Sequence, residues 1–113
     1  LIYCDETYIY AYYRTPKVGS YLANVARGGT QTMVSEAAIP AAIWPLVNVV
    51  QKYYAKFPQK IYTIDLIFDR AGTPWIVELN TMPGLYPDET ERPHIGKLYG
   101  AIIQTLKAAI KKK

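Results

Sequence analysis

The pattern of hydrophobic and polar positions predicts short β-strands over much of the chain. Apolar residues alternate with polar ones, or form short β-branched and aromatic runs, and both patterns are typical of strands. A tight turn at Asp5-Glu6 divides the first 14 residues, "LIYCDETYIYAYYR", into two strands. Further strands are predicted at residues 21–26, 30–34, 60–69 and 74–80.

Two other parts of the chain show helical spacing. Apolar residues recur every three or four positions between residues 36 and 57. Pro40 and Pro45 are tolerated only near a helix start, so a regular helix is predicted from about Trp44 to Lys56. A second helix is predicted after Pro93 because an apolar stripe follows it. The stripe consists of Ile95, Leu98, Tyr99, Ile102, Ile103, Leu106 and Ile110.

The order of these elements is strands, helix, hairpin and helix. This order predicts an α+β fold in which a mainly antiparallel sheet carries both helices on one face. A chain of 113 residues is long enough for one domain with a modest core. We therefore expect residues 1–113 to form a single domain.

Composition narrows the class of protein. Half of the residues are hydrophobic, which is typical of a globular domain, and no apolar run reaches the roughly 20 residues of a membrane helix. The single cysteine, Cys4, excludes an internal disulfide and a cysteine-rich zinc site. No secretory leader is visible, so we expect a cytoplasmic protein. The net charge is a mild +4, and three of the positive charges lie in the tail Lys111–Lys113. Nucleic acid is therefore not an expected partner.

A candidate metal site lies in the hairpin between residues 60 and 80. We expect an even-length loop at residues 70–73, which places Asp65 opposite Glu78 and Thr63 opposite Asn80. Residues two apart on a strand share a face, so Asp65, Glu78 and Asn80 would then project together. A three-residue loop would shift the register and place Asp65 on the opposite face from Glu78.

Oxygen donors of this kind suit Mg²⁺ or Mn²⁺ rather than zinc. Mg²⁺ usually takes one or two protein carboxylates and completes its shell with water and substrate phosphates. The alternative is that the three side chains form only the solvent face of a half-exposed hairpin. Asp69 begins the turn and is assigned a turn role.

The three candidate ligands are followed by "TMPGL", and this arrangement resembles the C-terminal part of ATP-grasp carboxylate–amine ligases. The resemblance covers nearly the whole chain, and it implies a C-terminal ATP-grasp subdomain whose upstream part is absent. It also implies ATP and two Mg²⁺ or Mn²⁺ ions as cofactors. The full-length enzyme would join a carboxylate, through an acyl phosphate, to an amine of an amino acid or peptide. We expect the fragment to be inactive without its missing half.

The same resemblance extends to "YLANVARGG", residues 21–29. It implies that Arg27, with the backbone amides near Gly28 and Gly29, stabilises the acyl phosphate or the oxyanion. Asn24 would face the nucleotide. Arg27 could instead be a solvated turn residue, and Asn24 an exposed strand amide. Arg14 and Lys17 are weaker candidates for phosphate contact.

Two other functions stay open. The chain could be an ATP-grasp-like scaffold without catalysis, and it could form homo-oligomers. Alternatively, "YIYAYYR" could be an aromatic sheet surface that stacks single-stranded RNA bases. The period of two places Tyr8, Tyr10 and Tyr12 on one face and Ile9 and Tyr13 on the other.

Overall fold

Five strands form one antiparallel sheet in the computed structural model, which describes residues 1–21, 28–58, 60–84 and 88–111. Their spatial order is β3-β2-β1-β4-β5. The predicted strand at residues 21–26 lies almost wholly outside the described residues. The strands are β1 (Ile2–Cys4), β2 (Thr7–Thr15), β3 (Thr30–Val34), β4 (Ile61–Phe68) and β5 (Pro74–Asn80).

Two α-helices accompany the sheet, α1 (Trp44–Tyr54) and α2 (Ile95–Lys111). Short 3₁₀ turns at Glu36–Ala38 and Ala41–Ile43 precede α1, and Pro45 lies in its first turn, where no amide hydrogen is needed. The interrupted start that the two prolines predict is therefore confirmed. Within the described residues, no helix is both long and apolar enough to cross a membrane.

The α+β class, the antiparallel sheet and the two helices are confirmed, but the helices pack on opposite faces rather than on one. Tyr3, Tyr62 and Ile64 pack with buried residues of α1, including Val47 and Val50. Their strand neighbours Ile2, Cys4 and Ile61 pack instead with Leu98 of α2. Neighbouring residues of a strand point to opposite faces, so the sheet is sandwiched between the helices.

A β-bulge in the first hairpin changes the faces of the tyrosines. Tyr3 pairs with Tyr8 but Ile2 pairs with Tyr10, so Ile9 is the extra residue. As a result Tyr10 packs with the α2 cluster, whereas Tyr8 packs with the α1 cluster. The prediction that Tyr8 shares a face with Tyr10 is wrong because a bulge interrupts the period of two.

Asp5 connects the predicted tight turn to the rest of the molecule. It adopts a positive φ of 51°, which Asp tolerates better than most residues. One carboxylate oxygen accepts a hydrogen bond from the Lys60 amide at 2.9 Å. The other accepts one from the hydroxyl of the buried Thr105 at 3.2 Å. The turn therefore links α2 to Lys60, the residue that precedes β4.

We expect Asp5→Ala to lower the free energy of unfolding by about 1–3 kcal/mol, because both donors lose their acceptor. Asp5→Asn keeps a side-chain oxygen that can accept from the Lys60 amide, and asparagine also tolerates a positive φ. Its loss of stability should therefore be clearly smaller. Urea denaturation followed by circular dichroism measures both values. Equal midpoints for the two variants would contradict this role.

Leu1 is also held as part of the sheet. Its α-amino group donates to the Ile64 carbonyl at 3.0 Å, and its carbonyl accepts from the Ile64 amide at 2.9 Å. The two residues thus exchange both hydrogen bonds of an antiparallel pair. Burial lowers the pKa of this amine from 8.0 to about 6, Asp65 opposes the shift and Arg14 adds to it. Its charged form therefore destabilises the fold.

We expect the 113-residue chain to become more stable between pH 6 and pH 8, by roughly 2 kcal/mol, because the unfolded chain binds more protons there. Acetylation of the Leu1 amine should abolish this rise. Urea denaturation across the pH range measures the effect, with His94, the only histidine, replaced by Gln in both proteins. Identical pH profiles of the free and acetylated chains would contradict the prediction.

Candidate metal site

The hairpin that carries the candidate ligands has an odd loop. The Asp69 amide donates to the Thr73 carbonyl at 3.0 Å, which leaves three residues in the loop. Gly72 adopts a φ of +80°, the left-handed conformation that such loops require. The Asp69 carboxylate accepts hydrogen bonds from the Trp75 indole and from the amides of Thr73 and Ala71, which lower its pKa. The turn role of Asp69 is confirmed.

The predicted even-length loop is therefore wrong, but a second irregularity restores the predicted pairing. Near the loop, Leu66 pairs with Ile76, which is the register that a three-residue loop imposes. The register then shifts by one, and Asp65 pairs with Glu78. Val77 is the extra residue of this bulge.

The bulge decides which side chains meet. Beyond it, Thr63 pairs with Asn80 as predicted. Without the shift, Asp65 would oppose Val77, and Glu78 would point to the α1 face with Ile64. With the shift, Asp65, Glu78 and Asn80 share the α2 face of the sheet. Directly opposed residues have Cβ atoms about 5 Å apart, so both carboxylates can reach one ion.

These side chains border a cavity of about 120 Å³ between the sheet and the segment that leads to α2. Strands β1, β2, β4 and β5 form its floor, and the Pro83-Gly84 turn forms one wall. The lining residues are Ile2, Tyr10, Tyr12, Arg14, Thr63, Asp65, Glu78, Asn80, Pro83, Gly84 and Glu91.

Arg14 is the basic residue of this cavity. Its guanidinium donates to the Tyr12 hydroxyl at 2.9 Å and lies 5.3 Å from the centre of that ring. Desolvation lowers its pKa, but the Tyr12 hydroxyl and the charges of Asp65 and Glu78 outweigh this, and the net shift is upward. The field of both carboxylates therefore reaches Arg14. The sequence alone ranked this residue below Arg27, because nothing local linked β2 to the distant hairpin.

Asn80 has a second task at the end of β5. Its side-chain oxygen accepts a hydrogen bond from the Met82 amide at 2.9 Å, an Asx turn that directs the chain into Pro83. An amide oxygen has two lone pairs, so this bond leaves one for a further partner. The turn role and a ligand role are compatible.

A buried Tyr10–Glu91 pair supports the wall of the cavity beside the segment that precedes α2, and no local pattern predicted this pair. The Tyr10 hydroxyl donates to the Glu91 carboxylate at 2.7 Å, and the Asp88 amide donates to its other oxygen at 3.0 Å. Both residues are buried, at 3% and 8% exposure. Burial, followed by the Glu91 hydrogen bond, raises the pKa of Tyr10, which keeps the hydroxyl a donor.

The oxygen atoms of Asp65, Glu78 and Asn80 suit a hard cation whose other ligands are water or phosphate oxygens. In the part of the chain that the structure describes, no three His, Cys, Asp or Glu side chains form a cluster able to hold a metal. The site instead offers two carboxylates and one amide oxygen. Mg²⁺ commonly binds through one or two carboxylates and completes its shell with water and phosphate oxygens.

The second group of predicted site residues is only partly described. Asn24 and Arg27 lie outside the described residues. Gly28 has a φ of +86°, and a Cβ built there would lie 3.4 Å from the Lys17 side chain. This left-handed backbone conformation explains why the position is a glycine. Neither Gly28 nor Gly29 lines the cavity.

Comparison of the chain with protein-family models, with curated proteins and with solved structures gives no match. The resemblance to ATP-grasp ligases therefore rests on the motif residues themselves.

We expect Tyr10→Phe to lower the free energy of unfolding by about 1–3 kcal/mol, because the buried Glu91 loses a donor. Tyr13→Phe is the matched control, since it removes the same hydroxyl from an exposed position of the same strand. Urea denaturation compares the two variants. An equal effect of both substitutions would show that Tyr10 does not support the cavity wall.

Proposed function

We propose that this chain is the metal- and phosphate-binding C-terminal subdomain of a cytoplasmic ATP-grasp carboxylate–amine ligase. The observation that carries the proposal is the bulged register of the hairpin, which sets Asp65 opposite Glu78 with Asn80 on the same face. A bulge next to a pair of like charges is costly for a purely structural hairpin, since opposed carboxylates repel by roughly 0.2–1 kcal/mol. Bulges of this kind are over-represented beside active sites.

In this proposal Asp65, Glu78 and Asn80 hold one or two Mg²⁺ or Mn²⁺ ions. The ions would neutralise the polyphosphate of ATP when bound. Besides these ions, Arg14 contributes a positively charged side chain on the same face. Its bond to Tyr12 orients the guanidinium, and within the described residues Arg14 forms no ion pair with Asp65 or Glu78.

The reaction proposed for the whole enzyme is ligation of a carboxylate to an amine, with an amino acid or peptide as substrate. ATP would phosphorylate the carboxylate, and the amine would then displace phosphate from the acyl phosphate. Both steps collect negative charge at one place, which a metal and arginines can stabilise. Roles for Asn24, Arg27, Gly28 and Gly29 at that charge are part of the proposal through the resemblance.

The arrangement of the tyrosines weighs against the RNA-binding alternative. Tyr10 is 3% exposed on the face of the sheet that α2 covers, and Tyr8 packs against the α1 cluster. Within residues 8–13 the exposed ring is Tyr13, at 46%. Base stacking needs several ring faces open to solvent. A scaffold without catalysis is separated from a ligase by the turnover of the full-length enzyme.

We expect Mn²⁺ with inorganic tripolyphosphate to bind the 113-residue chain and to broaden the amide NMR signals of Asp65 and Glu78. Glu78→Gln should weaken this binding at least about tenfold, because it removes one of two charged ligands. Glu89→Gln is the matched control, since it makes the same change at an exposed carboxylate outside the cavity.

Arg14→Gln separates the two halves of the site. It should weaken binding of tripolyphosphate with Mn²⁺, while the broadening by Mn²⁺ without tripolyphosphate should not decrease, because a positive charge beside the carboxylates is removed. The proposed metal site is wrong if Glu78→Gln and Glu89→Gln give the same titration curves. A turnover assay of the full-length enzyme with ATP, Mg²⁺ and amino acids then tests the ligase activity itself.

A further inference from the structure

The sheet contains a slot in line with its shortest strand, β1. β1 lies between β2 and β4 and pairs Ile2 with Tyr10 on one side and with Thr63 on the other. Both neighbours continue past it, β2 to Thr15 and β4 to Phe68. There, β2 is paired with β3 and β4 with β5, each along its outer edge. Among the described residues, no strand lies between their inner edges.

The slot is a cavity of about 250 Å³. Ala11–Arg14 of β2 line one side, and Thr63–Phe68 of β4 line the other. Ile39 and Ile43, on the α1 side, and Leu1 at the end of β1 close it. Unpaired backbone groups of two strands therefore border one space, and such edges are templates for a further strand.

Leu1 shows which direction an occupant would take. It already exchanges both backbone hydrogen bonds with Ile64, so the pairing of β1 with β4 is intact at this residue. Continuing the same register, the next four positions in line would oppose Asp65, Leu66, Ile67 and Phe68. On the other side the first three would oppose Tyr12, Tyr13 and Arg14.

We propose that this slot accepts an extended peptide segment joined in line to Leu1, which pairs antiparallel with both β2 and β4. Alternate side chains would face α1, beside Leu66 and Phe68, and should be apolar. The others would face the candidate metal site, and the first of them would lie beside Asp65. Hydrogen-bond donors are the suitable residues there. The inference does not rest on the proposed ligase activity.

Placing Val-Thr-Val-Thr before Leu1 tests the proposal. β-branched residues suit a strand, and the order puts valine on the α1 side. The Ile64 amide points into the β1 edge, so the amides of Leu66 and Phe68 point to the slot. Their hydrogen exchange should slow at least about tenfold, because exchange of a paired amide requires opening. The Ile67 amide faces β5 and should change much less.

Two control extensions of equal length make the test specific. Gly-Ser-Gly-Ser adds the same backbone with little strand propensity and should protect the slot amides less. Val-Pro-Val-Pro retains the apolar residues but removes the two amide donors that would face β2, so this segment cannot pair fully with both neighbours and should protect the slot amides less than Val-Thr-Val-Thr does. Equal exchange of the Leu66 and Phe68 amides with all three extensions would overturn the proposal.

Sedimentation of the unextended chain tests a second occupant. A monomer is expected. If the chain is instead a dimer, and the Val-Thr-Val-Thr extension dissociates it, a strand of a second copy fills the slot. That result would overturn the assignment to an in-line segment.

Discussion

The bulge at Val77 is the constraint on which the candidate site depends. The glycine-containing loop fixes one register for the start of the hairpin, and that register would separate Asp65 from Glu78. One extra residue in β5 reverses the faces for the rest of the strand. The apolar residues near the loop therefore pair in one register, and the polar residues at the other end of the hairpin pair in another. The candidate metal site therefore depends on the bulge as well as on the three residues that would bind the metal.

A sheet covered on both faces explains why the site lies at one end. α1 covers one face of the central strands and α2 covers the other. Polar groups can remain only where a helix does not reach, and the α2 face opens beside the segment that precedes this helix. The Tyr10–Glu91 bond fastens that segment to β2. The cavity is thus bounded by the strands of the sheet and by Glu91, which this bond links to β2.

Within the described residues, local patterns were enough to predict the strands, the two α-helices and the fold class. The Asp5-Glu6 turn, the delayed start of α1 and the strand at residues 30–34 follow from turn chemistry, proline geometry and alternation. Two bulges were not predictable, because an extra residue such as Ile9 or Val77 has no distinct composition. The opposite placement of the helices was missed for a related reason. The strands near β1 are apolar on both faces, and a helix can cover either one.

The pairing of Asp65 with Glu78 was predicted for a wrong reason. An even loop and an odd loop followed by a bulge give the same partners, so the correct pair did not test the loop. Arg14 shows the complementary limit. Its distance from the hairpin in sequence hides a proximity that only the sheet order creates, with β1 between β2 and β4.

Formal charges indicate in which order ligands would reach the site. Asp65, Glu78 and Glu91 contribute three negative charges to the cavity lining and Arg14 one positive charge, so these four groups sum to −2. A free phosphate group would meet net repulsion there, although Arg14 is present. One divalent cation brings the sum to zero and removes this repulsion, and a second ion changes it to +2 and makes the same face attractive to polyphosphate. Cation binding is therefore the step on which anion binding depends, and Arg14 without a metal is a counter-charge rather than a phosphate site.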